Sequence, residues 1–599
     1  MSENVSSAPT ELISLKARLG SAFRADRRAR PSLPTALTTL AAAAPWVLFA
    51  AVFLVPVGGF LVVAVSPRLF GQGEAWFTLA SFHTVLTGWN LHAVLDTLLI
   101  GVSAGALAVA VATWLSWLLE RTTVGGRGLW RMLLWVLLLA PSYLEALGWT
   151  WLVEQGGVLA RLTGHDPGTL RTVVLGPAGV TWVLATRGVP YAVLAISALL
   201  RGMGREFEDA ARTHGAGRLA TARAVLPILA PALWAGFAIV FAESISDFGV
   251  AATLGAQAHF PLATYAMYQA IGTFPAQFGL AAALGWLLMG LVALALFAQR
   301  RATRRRGYAV LSGRTRPIQR TVLDRRRHAL ALTATTGLFT LAVGVPLLGA
   351  VLASFLPSSG PPTVSSFTLA NYRHVLHGGD LLGPLLYSAR LAVMVACAAT
   401  VFGLIAGQAL SRKGGHWSSR LLDLLLLTAI ALPSVLLASG YIFTYNLPIA
   451  GSLGLDLYGT TTLLVLGYLA GALPAAARLL SGSIGQINDN LLAAARVHGA
   501  SPARAWLRGV LPLVAGPLLW VWLVSFATTV LEFPISQMLA PPDGRPLGVA
   551  ITKRLEGYDF GGGGAMSVLA MVATLSVIGI ALAATRRLLP AARGLEGQR

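Results

Sequence analysis

Residues 208–215 read E-D-A-A-R-T-H-G and residues 492–499 read L-A-A-A-R-V-H-G. Each octet is followed by a Leu-Pro, Leu226-Pro227 and Leu511-Pro512, and each lies in a polar, Arg-bearing stretch between long apolar runs. A small-residue helix repeated in both halves of an apolar chain points to two matching docking surfaces for a symmetric partner.

The repeat reaches beyond the octets. Trp76-Phe77-Thr78-Leu79-Ala80 returns as Ser366-Phe367-Thr368-Leu369-Ala370, each before a Val-Leu (Val85-Leu86, Val375-Leu376). Phe241-Ala242, Asp247-Phe248 and Pro261-Leu262 return as Phe526-Ala527, Glu532-Phe533 and Pro546-Leu547, three pairs at one offset of 285 residues. The landmarks keep their order, so the chain is a tandem duplication with a period too long for a solenoid. Two halves of one transporter fold fit that pattern.

Hydrophobic residues make up 55% of the 599 and charged residues 12%. A soluble chain of this length needs more charge to cover its surface. Apolar runs able to cross a ~30 Å hydrocarbon layer recur throughout, which predicts an all-α polytopic membrane protein rather than a β-barrel. The net charge of +21 does not imply nucleic acid as a partner. Arginines crowd into the tail before Pro34, residues 299–327 and the two repeated loops, whereas residues 250–277 hold no Arg or Lys. That alternation is the positive-inside pattern.

Twelve spans are expected: 36–65, 93–119, 129–152, 173–200, 228–249 and 278–298, then 329–354, 386–410, 421–445, 461–481, 513–532 and 565–585. The organisation is a basic tail (1–34), a first transmembrane domain (35–298), an Arg-rich linker (299–328), a second transmembrane domain (329–588) and a tail (589–599). The basic tail and Arg586-Arg587 mark the side of both termini as cytoplasmic, in the cell (inner) membrane of a prokaryote. The N-terminus does not read as a cleavable signal, because about 35 polar and basic residues precede a run long enough to span. The linker reads as a cytoplasmic strand held near anionic membrane lipid. Segments 250–277 and 533–564 are long enough to dip into the membrane. The run Gly561 to Gly564 reads as a flexible joint, and the single cysteine, Cys397, as a small buried apolar residue.

In each octet the alanines, Ala210-Ala211 and Ala494-Ala495, let another surface approach the backbone. Gly215 and Gly499 end the helix where a left-handed residue is needed. Glu208 and Asp209 sit near a helix start, where the macrodipole favours negative charge. The pattern E-A-A, three residues, G, then L-P resembles the signature of the membrane subunits of ATP-driven (ABC) importers that use an extracytoplasmic solute-binding protein. That resemblance covers both halves. It implies two tandem six-helix permease repeats of the type I importer fold, with each loop a coupling helix seated on an ATPase subunit. The implied docking residues are Glu208, Asp209, Ala210, Ala211 and Gly215, and Leu492, Ala493, Ala494, Ala495 and Gly499. The sequence departs from the family in three places: Leu492 stands where an acid is expected, Asp209 replaces the first alanine, and Gly215 to Pro227 is one step shorter than Gly499 to Pro512.

The chain lacks its own phosphate-binding loop: its lysines are Lys16, Lys413 and Lys553, and none follows a glycine. No cofactor is expected on this chain; ATP would be used by two copies of a separate ATPase subunit. Asp247-Phe248-Gly249 and Leu531-Glu532-Phe533-Pro534-Ile535-Ser536-Gln537 further resemble the fused permeases for ferric iron, and less closely those for thiamine and aminoethylphosphonate, with polyamine permeases more distant.

Ionisable residues in spans are costly and often functional. Glu145, Arg187, Glu243, Asp247, Arg390 and Glu532 are the candidates. Asp247 and Glu532 match across the duplication. They either line the translocation path, hold a gate through backbone amides, or anchor helix ends. Glu243 faces Thr528 in the alignment and leans towards a structural role. The rival function is a twelve-helix secondary transporter, but the segment Glu120–Arg131, E-R-T-T-V-G-G-R-G-L-W-R, lacks the Gly-x-x-x-Asp-Arg type motif often found there. No H-E-x-x-H or other enzyme constellation occurs within the spans.

Overall fold

The computed structural model describes residues 46–588 apart from 48, 204–205, 259, 305–319, 358–366, 378–380, 412–416, 431 and 489. The basic tail, the middle of the linker, part of the loop 355–385 and the C-terminal tail lie outside the described residues. So does the start of the first expected span.

The elements that carry the argument are α1 (Ala50–Val63), α2 (Gly88–Arg121), α3 (Arg127–Leu139), α4 (Ser142–Val153), α5 (Pro177–Gly202), α6 (Glu206–Thr213), α7 (Arg218–Ser246), α8 (Ala263–Gly272) and α9 (Phe278–Arg304). The second half gives α10 (Arg325–Phe355), α11 (Leu382–Ser411), α12 (Trp417–Ile430), α13 (Ser434–Tyr445), α14 (Thr461–Ile484), α15 (Asn490–Val497), α16 (Ala503–Val530), α17 (Pro534–Leu539), α18 (Leu547–Glu556) and α19 (Phe560–Leu588). Among the described residues nine helices are long and apolar enough to span; α3–α4 and α12–α13 are two sharply bent pairs that reach that length and apolarity together, which gives eleven when each pair is counted as one span. The chain is an all-helical multi-pass membrane protein.

The bends correct the expectation of straight spans at 129–152 and 421–445. α3 meets α4 at 96° and α12 meets α13 at 103°. Ala140-Pro141 and Leu432-Pro433 lie at the breaks. Ala140 and Pro141 are extended, with ψ 130° and 139°, and Pro433 has ψ 135°. A proline removes a helix donor and biases the preceding residue away from the α region, so the pattern stays apolar while the helix turns.

Within each half, α2 packs along α5 and α7, and α11 along α14 and α16. Without a hydrophobic drive in lipid, such contacts need close backbone approach through small residues. Ala104, Ala108 and Ala112 of α2 are fully buried. Ala399, Gly403 and Gly407 keep the same four-residue spacing on α11, and a Cβ at Gly403 would come within 2.9 Å of Ala476 Cβ. The opposite faces carry exposed Leu99, Leu294, Phe297, Leu386 and Leu513, the apolar surface that lipid covers.

The halves grip each other by exchange of their first helices. α10 packs on α4 of the first half, and α1 packs on α13 of the second. Gly148 lies against the Pro346 backbone, where a Cβ would sit 2.7 Å from the carbonyl carbon; Gly440 lies against Pro56, 2.7 Å from its carbonyl oxygen. Tyr441 donates to the Val52 carbonyl at 3.0 Å.

Two smaller expectations are corrected, and a third gains detail. Gly561 to Gly564 are buried and begin α19. A Cβ at Gly564 would meet Ala350 O and Ser354 N of α10 at 2.8 Å, and one at Gly562 would meet Asp559 and Arg554, so these glycines serve close packing, not flexibility. Cys397 is exposed, with Trp522 Nε1 donating to its sulfur at 3.3 Å; a small residue in an apolar run also suits a lipid-facing surface. Segments 250–277 and 533–564 fold inward: Ala263, Met267, Leu547 and Ile551 of α8 and α18 are fully buried.

Hydrogen bonds give the register of the duplication. Thr97 Oγ1 accepts the Ala263 amide and Ser388 Oγ the Leu547 amide, both at 2.8 Å. Ala263 and Leu547 are therefore equivalent, one step off the pairing of Leu262 with Leu547. The first half carries one residue more between Phe248 and Ala263 than the second does between Phe533 and Leu547. A π-turn at Ala251–Gly255 lies in that longer segment. The opposite difference, the extra residue between Gly499 and Pro512, coincides with a π-turn at Trp506–Val510. Such turns accommodate an inserted residue without breaking a helix.

Candidate translocation gate and docking helices

α7 ends at Ser246 and α16 at Val530, and each is followed by a carboxylate and a phenylalanine. Phe248 and Phe533 are both buried, and their rings stack with centroids 5.6 Å apart. Tyr268 packs on Phe248 at 5.3 Å and Tyr143 on Phe533 at 4.9 Å. Gln537 Nε2 donates to Tyr268 Oη at 3.2 Å, a further bond between the halves. Aromatic rings from both repeats thus close over one another at the centre.

The two carboxylates shape the turns that hold these rings. Asp247 Oδ1 accepts the Val250 amide at 2.7 Å, and the Asp247 carbonyl accepts from Thr264 Oγ1 at 3.0 Å. Glu532 Oε1 accepts the Ile535 amide at 2.7 Å; Oε2 accepts the Ser536 amide at 2.9 Å and the Ser536 hydroxyl at 2.8 Å. Ser536 Oγ also lies 2.7 Å from Tyr468 Oη. Both acids bond the amide three residues on, as helix N-caps do. Of the roles left open by the sequence, these are the bonds that a gate-holding or helix-anchoring group makes.

Glu243 lies one turn before Asp247 and is exposed. Arg187 interacts electrostatically with Glu145, Glu243, Asp247 and Tyr191. Thr186 Oγ1 donates to Glu145 Oε1 at 3.0 Å, and Arg187 donates to the Ala140 carbonyl at the bend. The sequence marked these charges separately, and the fold brings them into one network. Glu243 joins that network rather than standing alone. The second half lacks it: Thr528 replaces Glu243, and with Pro190 matched to Pro474, Gly471 replaces Arg187. Arg390 lies apart, exposed on α11.

α6 and α15 contain the repeated octets and end alike. Gly215 and Gly499 have φ of +78° and +80°. Their amides donate to the Arg212 and Arg496 carbonyls at 2.9 Å, and the Ala216 and Ala500 amides donate to Ala211 and Ala495 at 3.0 Å. This is a Schellman closure, which a glycine adopts without steric cost. Ala210, Ala493 and Ala494 are exposed, as are Asp209, Phe207, Leu491 and Val497; Ala211, Leu492 and Ala495 are half-buried. With α12–α13 counted as one, six apolar helices or bent pairs separate α6 from α15, the even number that an arrangement with both on one side requires. Glu208 differs from its counterpart Leu492 in making an ion pair, 3.5 Å from the buried Arg121.

Residues 399–593 match the family described as binding-protein-dependent transport system inner membrane component. A probable ABC transporter permease protein of Sinorhizobium fredii is 28% identical over 442 residues, 72% of this chain and 76% of that one. This chain is a permease of the binding-protein-dependent ABC importer kind. A ferric transport system permease protein of Actinobacillus pleuropneumoniae is 22% identical to the permease over 532 residues, 86% of this chain and 74% of the relative. A molybdenum transport system permease protein of Escherichia coli is 29% identical over 196 residues, 31% of this chain but 84% of its own length. A single repeat of the permease thus corresponds to nearly the whole of that relative.

The sequence did not single out the stacked rings, treating Phe248 and Phe533 as landmarks of the repeat and parts of the family resemblance. The available signal was that the same aromatic follows the matched carboxylate in both halves.

Proposed function

We propose that the permease forms the translocation path of an ATP-driven importer in the inner membrane, with both termini cytoplasmic. An extracytoplasmic solute-binding protein delivers the cargo. Two copies of an ABC ATPase subunit dock on α6 and α15 and supply the energy. The observation that carries this reading is the pair of exposed, identically closed helices at matching places in a duplicated membrane fold. Aromatic rings that meet between the repeats supply a closed gate for such a path. The cargo we assign is ferric iron. In support, the ferric permease relative matches across 86% of this chain, whereas the molybdenum permease and a sulfate transport system permease of Salmonella typhimurium match across 31% and 12%.

The test is reconstitution of the permease in liposomes with its ATPase subunits and binding protein. Ferric iron uptake that requires both partners and ATP is expected. Uptake driven by a proton gradient without ATP would establish the secondary transporter instead, and uptake of an oxyanion in place of iron would replace the cargo.

A further inference from the structure

The Arg-rich segment between the halves does not simply pass from α9 to α10. Its last residues pair with the turn after α2: Thr321 N donates to the Arg121 carbonyl at 2.9 Å, and Thr123 N donates to the Thr321 carbonyl at 3.1 Å. Thr123 Oγ1 accepts the Leu323 amide at 3.4 Å, and Thr122 and Thr321 form a parallel bridge. A few residues on, Trp130 of α3 stacks on Phe339 of α10 at 5.6 Å.

The side chain of Arg121 reaches the other way. It is 2% exposed, and its Nη2 donates to the Met203 carbonyl at 2.8 Å, at the end of α5. Its Nε lies 3.5 Å from Glu208 Oε1 on α6. One residue therefore joins the linker through its backbone to the docking helix through its guanidinium. A buried guanidinium needs such partners, and breaking the set leaves a charge uncompensated. A planar guanidinium anchored on the Met203 carbonyl also presents its charge to Glu208 in one direction, which suits it to orient a short helix.

From this geometry we propose that Arg121 is a positioning residue for coupling. The inter-repeat linker and Arg121 hold α6 in register with α2 and α5, so that movement of a docked ATPase reaches the spans through this tether. Among the described residues the ion pair is one-sided: Leu492 stands where Glu208 does and cannot make it, and a chain with two repeats has one linker between them. α15 therefore transmits without this tether, and the two ATPase subunits act on unequal levers. This inference rests on the docking role proposed above.

The experiment uses the full permease reconstituted with its ATPase subunits and binding protein, and reads uptake per ATP hydrolysed for each assembled complex. Arg121→Gln and Glu208→Gln should each lower that ratio about tenfold, the loss expected when one ion pair to a buried guanidinium is broken. The double variant should be no worse than either single one, and Arg121→Lys should recover at least half of the ratio. Thr321→Pro removes the amide bonded to Arg121 without touching a buried charge. It should lower the ratio too, and should not add to Arg121→Gln. Additive losses, or full coupling in Glu208→Gln and Thr321→Pro, would overturn the tether; these two variants decide the matter even where Arg121→Gln does not assemble. If the unmodified complex does not couple uptake to ATP, the importer reading itself fails, and that arm is read first.

Discussion

The ring of Phe248 stacks on the ring of Phe533, 285 positions later in the duplicated chain, with planes inclined by 24°. A residue that touches its own counterpart lies at the axis relating the two repeats, as in any self-complementary contact. In a two-repeat transporter the path runs between the halves. The stack is therefore where a plug across the path would be. Stacked rings contribute roughly 0.5–1.5 kcal/mol beyond the area they bury, enough to bias a two-state gate about tenfold.

The first prediction follows. Phe248→Ala and Phe533→Ala should each raise ATPase activity in the absence of binding protein by about three- to tenfold, because the closed state loses its contact. The double variant should leak cargo passively from loaded liposomes. Unchanged basal hydrolysis and tight liposomes in the double variant would move the gate elsewhere.

The carboxylates beside these rings give the second. Glu532 accepts three hydrogen bonds from Ile535 and Ser536, and Asp247 accepts one from Val250. Glu532→Ala should destabilise the purified permease by about 1–2 kcal/mol, the usual effect of losing a cap, and should raise basal ATPase. Glu532→Gln retains an acceptor and should be milder. Asp247→Asn should have the smaller effect of the two conservative changes. Thermal unfolding and basal hydrolysis on the same preparations measure this. Reduced uptake with both quantities unchanged would instead assign the acids to guiding a cation.

How much of this was legible beforehand depends on what each feature needs. The duplication, the all-α class and the ends of α6 and α15 rest on local signals: apolar runs, small residues and a glycine at a left-handed position. The ends of α6 and α15 can be read from Gly215 and Gly499 alone. The bends at Pro141 and Pro433 were missed because hydropathy continues across them, although the prolines were visible. Gly561 to Gly564 and Cys397 were misjudged because tertiary neighbours decide whether a small residue is loose, packed or facing lipid. The gate stack and the Arg121–Glu208 pair join residues 285 and 87 positions apart, and no local pattern encodes such a meeting. The register shifts are a middle case. The spacing difference between Gly215–Pro227 and Gly499–Pro512 was plain, but its accommodation at Trp506–Val510 was not.

The third prediction concerns the docking turns. Gly215 and Gly499 share nearly the same φ, and nothing lies within 4 Å of a Cβ placed on either. A valine at either position meets backbone strain of about 1–2 kcal/mol and little steric conflict. Gly215→Val and Gly499→Val should each reduce uptake per ATP while the permease still folds. Asparagine, which tolerates the left-handed region, should be milder at both sites. The second copy keeps the family spacing and the first does not, but that difference lies outside the turn itself. The geometry gives equal strain, so any inequality reports what each helix is tied to: α6 has the Arg121 tether and α15 has Leu492 at that place. Wild-type coupling in both valine variants would remove the docking role.

The final prediction concerns orientation. The contact of Thr321 with Arg121, and of Arg121 with Glu208, places the linker, the turn after α2 and α6 on one side. The arginine bias of those segments assigns that side to the cytoplasm. Cys397 is exposed, so it must be replaced before labelling: a Cys397→Ala background removes the one native thiol. In that background Ser7→Cys, Ser312→Cys and Gly597→Cys should resist a membrane-impermeant thiol reagent in intact cells and react after lysis. A cysteine at Gln72, between α1 and α2, should react before lysis, because one span separates that loop from the turn after α2. Labelling of Ser312→Cys in intact cells would invert the topology, and with it the side on which an ATPase can reach α6 and α15.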